Sequence, residues 1–134
     1  MTRFDPKAIT IAMLLSLALD VVGSTVLLAA FSTGLNDSMS SEQLTAAVLA
    51  VLQNTGFLLA SLAYGTATTV IGGYVAARVA RAYPYFNALA VGVLGIVLGL
   101  LLGGDAPAWF NALAYLIGPP AALYGGHLAR QRNQ

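Results

Sequence analysis

Asp20 stands thirteenth in an apolar run over residues 8–31 that is otherwise interrupted only by small hydroxyl residues. The run is long enough to cross a bilayer, and a carboxylate near its middle costs about 2.5 to 3.5 kcal/mol to insert. Something must offset that cost. Ser16 and Ser24 lie one helical turn to either side, so Ser16, Asp20, Gly23 and Ser24 form a polar, small stripe expected to face other helices. No Lys or Arg lies at matching depth. Two chemistries follow. Asp20 carries its proton and donates a hydrogen bond inside a bundle, or Asp20 with Ser16 and Ser24 handles a proton or a cation in transit.

The acceptor for such a donor is expected at Gly118-Pro119-Pro120, midway along a second apolar run. Each proline lacks an N–H and clashes with the carbonyl four residues back, which predicts a helix break and leaves the carbonyls of Tyr115 and Leu116 without helical donors. In hydrocarbon those groups need a partner or water. The break either cancels the defect at Asp20 or lines a small polar cavity.

Catalytic arrangements do not assemble. A nucleophile needs its base within reach, yet the single histidine, His127, is expected at a membrane edge while Asp20 sits mid-membrane. Asp105, in an outer turn, is far in depth from Asp20. There is no cysteine, which excludes disulfides and thiolate or iron-sulfur chemistry, and one histidine makes a metal site improbable. Neither enzymatic activity nor a cofactor is expected. A net charge of +1 does not suit nucleic acid, whose binding requires clustered cations.

Of the 134 residues, 58% are hydrophobic and 8% charged, against roughly 25% charged in soluble domains. The chain therefore reads as one all-α transmembrane domain over residues 1–134. Four spans are expected at 8–31, 56–77, 86–102 and 109–127, paired as two hairpins. The first is read as a retained span and not a cleaved leader, because it is too long, contains Asp20 and lacks a suitable small residue before Ala30.

Residues 41–83 would make one straight helix of about 65 Å, far beyond a bilayer, so a break is expected near Gln53, Asn54 and Gly56. Ser40 and Gln43 have capping-box spacing, and Met39 and Leu44 have that of a hydrophobic staple. An amphipathic interfacial helix over 41–54 follows. The alternative is a span over residues 44–64 that continues toward Arg78.

All six basic residues fall on one side of this topology: Arg3 and Lys7, Arg78 and Arg81, Arg130 and Arg132. By the positive-inside rule both termini are cytoplasmic. Tyr74, Tyr83, Tyr85, Trp109 and Phe110 read as interfacial anchors.

Glycines mark the expected packing faces. Ala88, Gly92, Gly95, Gly99 and Gly103 line one side of the third span, and small residues so placed let a second backbone approach closely. Gly72-Gly73 and Gly125-Gly126 precede basic ends alike, as in duplicated hairpins. Phe-Asn-Ala-Leu-Ala recurs at 86–90 and 110–114.

From residue 71 on, the chain resembles a family of small four-helix inner-membrane proteins of bacteria. The likeness lies in Gly72-Gly73-Tyr74-Val75-Ala76-Ala77-Arg78, Ala88-Leu89-Ala90-Val91-Gly92, Pro107-Ala108-Trp109, and Pro120 with Gly125-Gly126-His127-Leu128. The family pattern carries His where Asn87 stands and Trp-Leu where Leu123-Tyr124 stands. The resemblance implies a multi-pass protein of the bacterial inner membrane and supplies no catalytic residue.

The expected function is therefore non-enzymatic, resting on helix packing in the lipid bilayer. The partners are the chain itself, as a homo-oligomer, or another membrane protein to which it is an accessory subunit. The alternative is a small proton- or cation-coupled transporter or channel built on Asp20 and the Pro119-Pro120 break.

Overall fold

Asp5 begins the first helix by accepting from the main-chain N–H of Lys7 at 3.1 Å and of Ala8 at 3.2 Å, while Pro6 occupies the first turn, where a missing N–H costs nothing. The computed structural model describes residues 3–132, and among them every regular element is helical. Five helices follow one another: α1 Pro6–Phe31, α2 Ser41–Leu52, α3 Thr55–Val79, α4 Pro84–Leu102 and α5 Ala108–Gln131. Three of them, α1, α3 and α4, are long and apolar enough to cross a membrane.

Local chemistry sets the boundaries. The capping box closes in both directions, with Gln43 N–H donating to Ser40 Oγ at 3.3 Å and Ser40 N–H to Gln43 Oε1 at 3.0 Å. The chain stops being helical at Gln53 and Asn54, and Asn54 Oδ1 then caps α3 by accepting from Phe57 N–H at 3.1 Å. A continuous span over residues 44–64 is thereby excluded. None of the residues of α2 is buried, and its contact with α3 is slight.

The four long helices share two ends. At one end Asn87 near the start of α4 meets the segment before α1, and Gly126 of α5 faces Ala77 and Ala88. All six Lys and Arg residues lie there. At the other end Phe31 and Phe57 make an edge contact with centroids 5.7 Å apart, and Gln53 Nε2 donates to the Asp105 carbonyl at 2.9 Å. Asp37, Glu42 and Asp105 belong to that end. α3 runs through the middle, packing on α5, α1 and α4, whereas α1 and α4 touch least among these pairs.

The interior is made of small residues. Ala8, Ala12, Ala76, Ala88 and Ala122 are fully buried, and the largest fully buried side chain is Asn87. Large apolar side chains point outward instead, Leu101 at 74% and Leu102 at 75% exposure. That inversion is what close helix packing in hydrocarbon requires, since lipid offers no incentive to hide leucine.

α5 corrects one expectation. It passes through Gly118, Pro119 and Pro120 without interruption. Packing on both sides holds its path: a Cβ on Gly73 would lie 2.7 Å from Ala122 Cα, and one on Gly92 would lie 2.8 Å from Pro119 Cα. Tertiary contact outweighs the prolines' intrinsic preference.

Candidate functional site

The two Ala-rich clusters of the interior, Ala12, Ala76 and Val91, and Ala77, Ala88 and Ala129, fill the basic half of the bundle. The other half is hollow. A cavity of about 450 Å³ runs there between α1, α3, α4 and α5, from Gly103, Gly104 and Ala106 at the turn between α4 and α5 to Ser16, Asp20, Val91 and Gly118.

Asp20 reaches α3, not α5. The Thr68 hydroxyl donates to Asp20 Oδ1 at 2.6 Å and also lies 3.0 Å from the Gly65 carbonyl of its own helix. One turn further out, the Tyr64 hydroxyl donates to the Leu19 carbonyl at 2.7 Å, and its ring fills the space above Gly23. The expected pairing of Asp20 with a carbonyl freed by Pro119 and Pro120 is thus replaced by a threonine partner. The reason is topological: α3 lies between α1 and α5, so their polar groups meet only across the cavity.

Ser16 belongs to this site and Ser24 does not. Ser16 lines the cavity floor at 9% exposure, and its Oγ has no hydrogen-bond partner. Ser24 faces outward and donates to its own Val21 carbonyl at 3.1 Å. The polar stripe therefore ends at Gly23, where α1 is pinned beneath Tyr64.

The glycines divide in the same way. Gly73 and Gly125 meet the backbones of Ala122 and Val70, so the two Gly-Gly pairs interlock α3 with α5. Gly72 faces the Ser16 hydroxyl and Val91, Gly92 faces Pro119, Gly99 faces the Tyr115 ring and Gly126 faces Ala88. Gly95 corrects the expectation of one continuous packing face: a Cβ there meets nothing within 4 Å, and the residue lines the cavity. Gly103 caps α4 by donating to the Gly99 carbonyl at 2.8 Å and packs on no second helix. Gly118 also lines the cavity, across from Asp20.

A second polar center, at Asn87, carried no functional signal in the sequence. Asn87 accepts from the Asp5 N–H at 2.7 Å, and its amide donates to the carbonyls of Ala82 at 3.1 Å and Tyr83 at 3.0 Å. Tyr83 has a left-handed backbone, φ 52°, a strained state for a tyrosine that the surroundings must hold in place. Asn87 does so. His127 sits at this basic end beside Tyr85, Oη to Nδ1 3.1 Å, remote from the cavity. No family model, curated protein or solved structure matches the chain.

Proposed function

We propose that the protein is a small proton- or cation-handling transporter of the bacterial inner membrane that works through Asp20. The observation that carries this reading is the cavity itself: reaching from the turn between α4 and α5 to Ser16, bordered by the alanines of the basic half, and carrying Asp20 as its one charged lining residue. A cavity bordered by close packing on one side, with a carboxylate in its wall, suits one state of an alternating-access device.

The reading includes four crossings with both termini cytoplasmic. α5 holds 24 residues, about 36 Å of helix, and packs on α3 more than on any other helix. Its prolines and Asn111 lower its hydropathy without shortening it. The one-ended Lys and Arg distribution supports the orientation. No step in the proposed work calls for a catalytic group or a cofactor.

A second reading is favored by the weak contact between α1 and α4. Another copy of the chain, or a helix of another membrane protein, seated along that seam would close the cavity wall beside Asp20, which is exposed in the single chain. In that case the chain is an accessory subunit or half of a dimer.

Proteoliposomes loaded with a pH-sensitive dye test the first reading. An imposed gradient should dissipate through the wild type and not through Asp20→Asn. Flux that persists undiminished in Asp20→Asn rejects it, and cross-linking of α1 to α4 of a second copy at native expression would favor the dimer.

A further inference from the structure

The polar groups around the cavity are hydroxyls, one amide and a single carboxyl group, that of Asp20. The hydroxyls of Thr66 and Thr69 donate within α3, to the carbonyls of Leu62 and Gly65, each at 2.7 Å. Asn111 spends an amide hydrogen on the Ala106 carbonyl at 3.3 Å. What the two threonines turn toward the cavity is therefore acceptor capacity, while Asn111 keeps one amide hydrogen and the hydroxyls of Ser16, Ser61 and Tyr115 can donate or accept. Asp20 adds a carboxylate, and Ser16 adds a buried hydroxyl with no partner among the described residues. No Lys, Arg or His is among the lining residues. Such a wall repels an anion and suits a ligand that brings its own donors and positive charge.

Size and the remaining wall narrow the class. A bare metal ion or a proton needs no space of about 450 Å³, a volume within the range of organic-ligand pockets, roughly 300 to 1,000 Å³. Beside these polar groups the lining carries apolar and aromatic side chains, including Leu98, Leu102, Phe110 and Tyr115. Aromatic faces attract cations, and they also bury apolar groups.

We infer that the cavity binds a small organic ammonium ion bearing an apolar or aromatic group. The ammonium sits between Asp20 and Ser16, which lie one helical turn apart on α1, and the apolar part extends toward Phe110 and Tyr115. This inference rests on the reading of Asp20 as the working residue of the cavity and names its substrate class.

The test uses the full chain in lipid nanodiscs, with 2-phenylethylammonium as the probe and 2-phenylethanol and phenylacetate as its neutral and anionic counterparts. Saturation-transfer NMR and titration calorimetry are read against empty discs. The ammonium should bind, and the alcohol and the acid should bind at least about tenfold more weakly, the factor a charge-assisted hydrogen bond supplies. Asp20→Asn should lose about the same factor. Gly95→Leu, placed where a Cβ meets nothing within 4 Å, should fill the cavity and abolish binding with helicity and melting unchanged. Ser16→Ala, a milder variant, should weaken binding severalfold.

Equal binding of the ammonium and the alcohol overturns the inference, as does ammonium binding that survives both Asp20→Asn and Gly95→Leu. Asp20-dependent proton or sodium flux in proteoliposomes without ammonium binding overturns the substrate class alone. Absence of both flux and binding removes the broader reading with it.

Discussion

The main-chain N–H of Asp5 donates to Oδ1 of Asn87 at 2.7 Å across 82 residues of sequence, and this bond fastens the start of α1 to the turn between α3 and α4. Asn87 is 0% exposed and bonds both strands of that junction at once. Replacing it with Leu leaves the Asp5 N–H and the carbonyls of Ala82 and Tyr83 without their side-chain partner. Asn87→Leu should therefore lose about 2 kcal/mol or more. Thermal unfolding in detergent, followed by circular dichroism, reads this directly. A melting temperature equal to that of the wild type would mean that the junction is held by packing alone.

Gly73 of α3 and Gly125 of α5 separate from Gly95 of α4 by what faces them. A Cβ on Gly73 would lie 2.7 Å from Ala122 Cα, and one on Gly125 would lie 2.7 Å from Tyr74 N. Backbone cannot step aside as a side chain can. Gly73→Ala and Gly125→Ala should each cost about 1 to 3 kcal/mol through forced separation of α3 and α5. Gly95→Ala has open space and a helical backbone, so it should gain about 0.5 to 1 kcal/mol from the better helix former. Detergent stability of the three variants decides the matter. A loss at Gly95 equal to that at Gly73 would place an unseen helix against α4.

These contrasts show which features are legible in a sequence. The Ser40 to Gln43 capping box, the Asn54 restart and the lengths of α1 and α4 are set by neighbors within a few residues, and their patterns can be read locally. The repeated Gly-Gly pairs are visible too, but nothing in the repetition says that Gly73 and Gly125 lock one helix pair together. Asn87 is harder still. Its bonds depend on the segment before α1 folding over the start of α4, and in sequence it is one amide in an apolar run. The cavity is legible nowhere, because it is a volume that four helices fail to fill. Its carboxylate was visible, whereas the partner Thr68 was hidden among the four threonines of α3, Thr55, Thr66, Thr68 and Thr69, and nothing in their spacing singled it out.

Orientation is open to direct labeling. Ser38 and Asp105 are exposed at the end opposite the six cations, and Arg81 is exposed at the cationic end. The chain has no cysteine, so Ser38→Cys, Asp105→Cys and Arg81→Cys each place a single thiol. In intact cells an impermeant maleimide should label the first two, and the third only after permeabilization. Labeling of Arg81→Cys from outside would invert the topology and put the cavity mouth in the cytoplasm.

Asp20 is the position where a structural role and a working role give opposite results. Its bond from Thr68 at 2.6 Å ties α1 to α3, but the same hydroxyl stands 3.0 Å from the Gly65 carbonyl. If Asp20 is removed, Thr68 therefore keeps an acceptor within its own helix, and no buried hydroxyl is stranded. The carboxylate's oxygens border a cavity, so a leucine in its place meets open volume and not packed atoms. Asp20→Leu should consequently cost less than about 1 kcal/mol, and Asp20→Asn, which retains the Thr68 acceptor, should cost less again. Both variants should nevertheless abolish cation- or proton-coupled flux, because neither can carry the negative charge. Unfolding and flux measured on the same preparations separate the two roles. A drop in stability of several kcal/mol in Asp20→Leu, with normal flux in Asp20→Asn, would make the residue a structural tie and leave the cavity without its working group.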